Sequence, residues 1–195
     1  YHQIWNKGLL TAVGTESARI TFDSYHTPST GTWNQLLMDI NATADFKYCD
    51  VSCAITGLYF ANTNSQVSIY SVNFTSCNYA IAGSVNLGSE KLSIEKSSFR
   101  YCTTGIYLSY CSISSSTFEN NYNAIKDCNN IVIANSVFVN NEYGINSNGY
   151  YDVSYSSFVS NKQYGVGANY SYGPINFSYF YNNWTGVKLY ADYPF

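Results

Sequence analysis

Charged side chains are scarce: only 11% of the 195 residues are Asp, Glu, Lys or Arg, against about 25% in an average soluble domain. Positive charge is in deficit, 9 Lys and Arg against 12 Asp and Glu. Without a basic field to gather phosphates, nucleic-acid binding is excluded. No run approaches the roughly 18 apolar residues of a membrane-spanning helix. His-Glu-x-x-His, Gly-x-Ser-x-Gly and phosphate-loop signatures are absent. Of the two histidines, His2 and His26, the second sits in a Tyr-His-Thr-Pro loop. What is present is apolar and aromatic: 46% hydrophobic residues and 18% aromatic, with 21 Tyr. That is too much apolar surface for a disordered tail. The exterior must therefore be clothed in neutral polar groups, mainly Ser, Asn, Thr and tyrosine hydroxyl.

Self-similarity organises the chain. Aligned on one Phe per unit, residues 66–81 read QVSIYSVNFTSCNYAI, 91–106 KLSIEKSSFRYCTTGI, 110–125 YCSISSSTFENNYNAI and 130–145 NIVIANSVFVNNEYGI. Residues 150–166 read YYDVSYSSFVSNKQYGV, 174–187 PINFSYFYNNWTGV, and a degenerate unit surrounds Phe46. The anchors are Phe46, Phe74, Phe99, Phe118, Phe138, Phe158 and Phe180. Five residues before Phe stands an aliphatic column from Ile69 to Ile175, and two before it a small one, Val72 then Ser97 to Ser178. Three after it come Cys49, Cys77 and Cys102, then Asn121, Asn141, Asn161 and Asn183. A small residue then precedes an aliphatic one, as in Ala80-Ile81 and Gly144-Ile145. Period-2 alternation with one apolar residue per column describes the coil of a parallel β-solenoid, identical residues stacking about 4.8 Å apart. The Asn column reads as a hydrogen-bonded turn ladder.

These units resemble the right-handed parallel β-helix proteins of the pectate-lyase-like superfamily. The amino-terminal stretch GLLTAVGTESARIT (8–21) and Gly31-Thr32-Trp33 resemble that family too. The resemblance implies an all-β, right-handed parallel β-helix of about 8 coils of roughly 19–28 residues. It would form a single domain over 1–195, with degenerate coils in 1–45, regular coils in 46–189 and an aromatic cap in 190–195. It implies extracellular work on glycans, whether by lyases, hydrolases, tailspikes or non-catalytic adhesion modules. It also implies a chain that is part of a larger surface protein, and the start at Tyr1 fits either a mature product or a piece.

The chemistry-bearing residues are sparse. A glycan-cleaving site needs outward carboxylates grouped on adjacent coils, and none share neighbouring columns, so no catalytic residue is assigned. The nearest charged pair is Arg100 above Glu119, with Glu95 a potential third member. Cys49 and Cys53 lack a second pair to complete a zinc site, so neither metal nor cofactor is expected. The Cys49/Cys77/Cys102 column reads as buried thiols; adjacent members could form a disulfide at coil spacing, but three leave one unpaired. Tyr79, Tyr122, Tyr143, Tyr164 and Trp184 all fall four to six residues after Phe. They form the candidate carbohydrate-binding line, planar rings suiting sugar faces; coverage of the turns by rings alone is the alternative. Asn41, Asn73, Asn169 and Asn176 are candidate N-glycosylation sites. Asn183, in the inward ladder, should carry no sugar.

The expected function is a non-catalytic extracellular, cell-surface or virion-surface module of adhesion or fibre type, with glycans as candidate partners. A fragment of a β-helix polysaccharide lyase or glycoside hydrolase is the alternative. A self-associating filament or virion subunit is the second. So few titrating groups should leave stability nearly indifferent to acid.

Overall fold

The structure, a computed structural model, describes residues 2–24, 30–61, 65–86, 92–168 and 173–189; His26, Asn169 and the 190–195 cap lie outside the described residues. Alternating apolar and polar residues make short strands with one buried face. The described residues hold twenty-five strands, β1 to β25 in chain order, and each of three sheets takes every third one. One nine-stranded sheet holds β1 (Gln3–Asn6), β4 (Trp33–Met38), β7 (Ala54–Phe60), β10 (Tyr79–Asn86), β13 (Thr104–Ser109), β16 (Asn123–Lys126), β19 (Tyr143–Ser147), β22 (Tyr164–Ala168) and β25 (Thr185–Leu189). An eight-stranded sheet holds β2 (Leu9–Val13), β5 (Thr43–Lys47), β8 (Gln66–Tyr70), β11 (Leu92–Glu95), β14 (Cys111–Ser114), β17 (Ile131–Ala134), β20 (Tyr151–Ser154) and β23 (Ile175–Asn176). The third holds β3 (Ile20–Phe22), β6 (Cys49–Ser52), β9 (Asn73–Thr75), β12 (Ser98–Arg100), β15 (Thr117–Glu119), β18 (Val137–Val139), β21 (Ser157–Val159) and β24 (Tyr179–Tyr181). Neighbouring strands pair in parallel. The protein is an all-β parallel solenoid, and its regular part is the six consecutive turns that carry Phe in the third sheet, from Phe74 to Phe180.

The core is a set of ladders. Phe74, Phe99, Phe118, Phe138, Phe158 and Phe180 stack face to face, with centroids 4.5–5.1 Å apart and interplanar angles of 9° or less. The Asn column forms the expected ladder. Asn121 Nδ2 donates to Asn141 Oδ1 at 3.0 Å, Asn141 to Asn161 at 3.0 Å, and Asn161 to Asn183 at 2.8 Å. Each Nδ2 also donates to the Phe carbonyl of the preceding coil. The small column proves to be a second ladder. Ser97, Ser116, Ser136 and Ser156 are buried. Each Oγ donates to the carbonyl two residues back and accepts the backbone N–H of the preceding coil's column member.

Two corners of each turn are made by residues in the left-handed region. One corner uses Tyr48, Ser71, Lys96, Ser115, Asn135, Tyr155 and Phe177, with φ of 48–53°. The other uses Cys53, Ser76, Tyr101, Asn120, Asn140, Ser160 and Asn182, with φ of 53–60°. A non-glycine residue there costs roughly 1–2 kcal/mol. The cost is offset because the corner N–H groups continue the parallel pairing, as from Ser76 to Arg100 O and from Ser115 to Ala134 O.

One alignment is corrected. Phe46 lies in β5 opposite Ala12 and Ile69, whereas Val51 occupies the place opposite Phe74. The degenerate unit is thus shifted by five residues. Cys49 accordingly leaves the Cys/Asn column and stands where later coils have Ser, its Sγ 3.4 Å from Lys47 O in the serine pattern.

Candidate functional site: an aromatic groove on the nine-stranded sheet

The small-aliphatic pair that ends each unit builds this face. In Gly105-Ile106, Ala124-Ile125 and Gly144-Ile145 both residues are buried. A Cβ on Gly105 would point at the Phe118 ring, and one on Gly144 at the Phe158 ring. Two consecutive inward positions interrupt the alternation like a bulge, so residues three apart share the outer face. One outer column runs Tyr79, Thr104, Asn123, Tyr143, Tyr164, Thr185. The other runs Lys126, Asn146, Gly167, Lys188, with Ala82 opposite Tyr107 farther along.

The five candidate rings therefore divide. Tyr79, Tyr143 and Tyr164 share a column, while Tyr122 and Trp184 each precede it by one residue at the corner. Tyr122 meets Tyr143 edge to face, centroids 5.5 Å apart at 83°, and Tyr143 meets Tyr164 at 5.0 Å and 53°. Tyr79 instead contacts Tyr107 at 6.0 Å. Exposure differs as well: Trp184 is 85% exposed and Tyr122 56%, Tyr143 is half-buried, and Tyr164 is 7% exposed. Tyr164 lies flat over Gly167, where any Cβ would collide with its ring. Its role is to floor the face rather than to offer a free ring.

Tyr122, Tyr143 and Tyr164 come together in a groove of about 300 Å³, whose other lining residues are Asn123, Lys126, Asn146, Gln163 and Lys188. Asn146 Nδ2 donates to Asn123 Oδ1 at 3.4 Å, and Gln163 Nε2 donates to Glu142 Oε1 at 3.1 Å. Glu142 is held on its other oxygen by Lys162 at 3.4 Å. Lys126 lies 3.9 Å from Asp127. The lining itself offers phenols, amides and two ammonium groups, and carries no carboxylate. Lys126, Asn146 and Lys188 were not singled out from the sequence. Their signal was available, since each stands eight residues after its Phe, as does Tyr107.

The remaining polar candidates lie elsewhere. Arg100 Nε meets Glu119 Oε2 at 3.0 Å on the third sheet, as the columns predict. Glu95 does not join them; it lies in β11 near Lys96, at 3.8 Å. Asp50 accepts from Arg19 Nε at 2.8 Å and Asn73 Nδ2 at 2.7 Å, and Arg19 also donates to the Cys49 and Ser71 carbonyls. Among the candidate glycosylation sites, Asn41 is exposed at a left-handed turn, Asn73 is tied to Asp50, and Asn176 is exposed in β23. Asn183 donates its amide to Phe158 O at 2.8 Å.

No protein family and no curated protein matches the chain. Among solved structures, an alginate lyase from Paenibacillus sp. str. FPU-7 is similar at 14% identity and a TM-score of 0.36, over 96% of this chain and 89% of that one. A likeness at this level says nothing of this chain's site or substrate.

Proposed function

We propose that the protein is an extracellular, non-catalytic glycan-binding module whose binding surface is the groove of Tyr122, Tyr143 and Tyr164. The observation that carries this reading is their convergence with Asn123, Asn146 and Gln163 in one open, carboxylate-free groove. Tyr122 and Tyr143 present apolar ring faces to sugar C–H surfaces above the floor that Tyr164 makes, and the amides of Asn146 and Gln163 supply donors and acceptors to hydroxyls. Lys126 and Lys188 favour an acidic polysaccharide over a neutral one. With Tyr79 and Tyr107 on the same face, four coil steps from Tyr79 to Tyr164 give a track of about 19 Å. That length suits a polymer rather than a single sugar.

The test is affinity electrophoresis and calorimetry against a panel of neutral and uronic-acid polysaccharides. Retention by an acidic member, weakened at least tenfold in Tyr122→Ala and Lys126→Ala with unchanged melting, is the expected result. Absence of retention by every member would overturn it. Release of unsaturated products or reducing ends, lost in the same variants, would replace it with the lyase or hydrolase reading. Filaments in the electron microscope that form without any glycan would favour the structural-subunit reading.

A further inference from the structure

We infer that Cys77 and Cys102 are an oxidisable pair, closing to a disulfide between consecutive coils when the chain folds in the presence of an external small-molecule disulfide. The inference is independent of the glycan reading. With Cys49 moved to the serine column, the Asn column holds two cysteines, not three, and neither is left over. Their register is fixed on both sides: Ser76 N–H donates to Arg100 O at 3.0 Å, and Thr103 N–H donates to Cys77 O at 3.1 Å. Adjacent coils at about 4.8 Å fall within the Cα separation a disulfide needs, about 4.4–6.8 Å.

Both side chains point inward and are buried. Cys77 Sγ lies 3.6 Å from Thr75 O, and Cys102 Sγ 3.4 Å from Arg100 O. The other four are placed differently. Cys49 and Cys53 lie on either side of Val51, Cys53 at a left-handed corner. Cys111 pairs in register with Leu92 and Ile131, so no thiol stands directly above or below it. Cys128 accepts from Leu108 N–H at 3.3 Å. The pair also sits where the amide ladder stops: Cys102 N–H is the first group to accept help from it, donating to Asn121 Oδ1 at 2.9 Å. A covalent link would extend the column from Cys102 to Cys77, a step that no amide makes.

The step balances as thiol–disulfide exchange. One of the two cysteines, as thiolate, attacks one sulfur of the external disulfide and expels a thiolate. The other, giving up its proton, attacks the protein sulfur of the mixed disulfide and expels the second. Two protein thiols are oxidised and one external disulfide is reduced to two thiols. Burial of both sulfurs requires that this precede closure of the coil.

The experiment refolds the reduced full chain in oxidised and reduced glutathione, quenches with acid and alkylates under denaturing conditions. Two of the six thiols should disappear, with one cross-linked peptide joining 77 to 102. Reduction should then lower the melting temperature by on the order of 10 °C. Cys49→Ser should retain the bond and Cys77→Ser should abolish it. If refolding fails, the same peptide map is read on chain secreted into an oxidising compartment. Retention of all six thiols, or a bond joining any other pair, overturns the proposal.

Discussion

Tyr151 in β20 is fully buried, stacked on Ile131 of the coil below, and its hydroxyl has no hydrogen-bond partner among the described residues. Tyr151→Phe removes that one group and keeps the ring. A buried, unsatisfied hydroxyl costs about 1–3 kcal/mol, so the variant should be more stable by that amount. For a chain of this size each kcal/mol moves the melting temperature by about 2–4 °C, and a rise of roughly 2–12 °C follows. Burial also pushes the phenol up to about 12 from its ordinary 10. Above pH 10 the unfolded chain releases this proton and the folded chain retains it, so stability falls with rising pH until about pH 12. At about 1.4 kcal/mol per pH unit the loss approaches 3 kcal/mol, and Phe has none of it. Thermal melts of both proteins from pH 8 to 12, followed by circular dichroism, should show a gap that widens above pH 10. A destabilised variant, or a gap that stays constant with pH, would refute the reasoning.

Phe118→Ala opens a cavity between Phe99 and Phe138, at 4.5 and 4.8 Å, and should cost about 3–5 kcal/mol in denaturant unfolding. Asn141→Ala strips partners from Asn121 N–H, Asn121 Nδ2, Phe118 O and Asn161 Oδ1. Asn121 Nδ2 keeps Phe99 O and Asn161 Oδ1 keeps the backbone N–H of residue 141, so the loss falls on Asn121 N–H and Phe118 O. At about 1–3 kcal/mol for each, it should be of the same order as that of Phe118→Ala, with hydrogen exchange accelerated first at those coils. Gly167→Ala forces Tyr164 off its seat; about 1–3 kcal/mol of lost stability should accompany a loss of polysaccharide retention, read by melting and affinity electrophoresis. The ion pairs lie on partly exposed side chains and are each worth under about 1 kcal/mol, so melting at pH 3 should stay close to that at neutral pH.

The fold was legible because a solenoid writes each contact twice, in the residue and in its counterpart about twenty positions on. The Phe and Asn columns repeat one residue type and so announce both register and partner. Phe46 misled because Phe suits the aliphatic column as well as its own, and Val51 gave no mark of the place it fills. The serine column was read only as small: Val72 opens it, and Ser is so common here that its ladder did not stand out. The groove was half legible. Counting residues after Phe found its tyrosines but could not divide them between corner and strand, because the inward pair before them interrupts the alternation. Its lysines are hidden because Asn146 and Gly167 stand between them in the column, so no residue type repeats there, although a common offset from Phe places Lys126 and Lys188 on one face.

The ladders also have a direction. From one column member to the next the amide bonds run toward the carboxy-terminal coil, Asn121 to Asn141 to Asn161 to Asn183, while each amide's other hydrogen returns to the Phe carbonyl of the coil before. The serine column's backbone N–H groups also run toward the carboxy-terminal coil. Hydrogen bonds aligned head to tail polarise one another. The two side-chain columns are therefore vectorial, although the backbone between them bonds both ways along the axis, as Ser76 N–H to Arg100 O and Ser98 N–H to Val72 O do. Within these columns a coil stacked upside down would set donor against donor and acceptor against acceptor. The orientation of each coil about the axis is thus favoured by electrostatics as well as by the shape of the core.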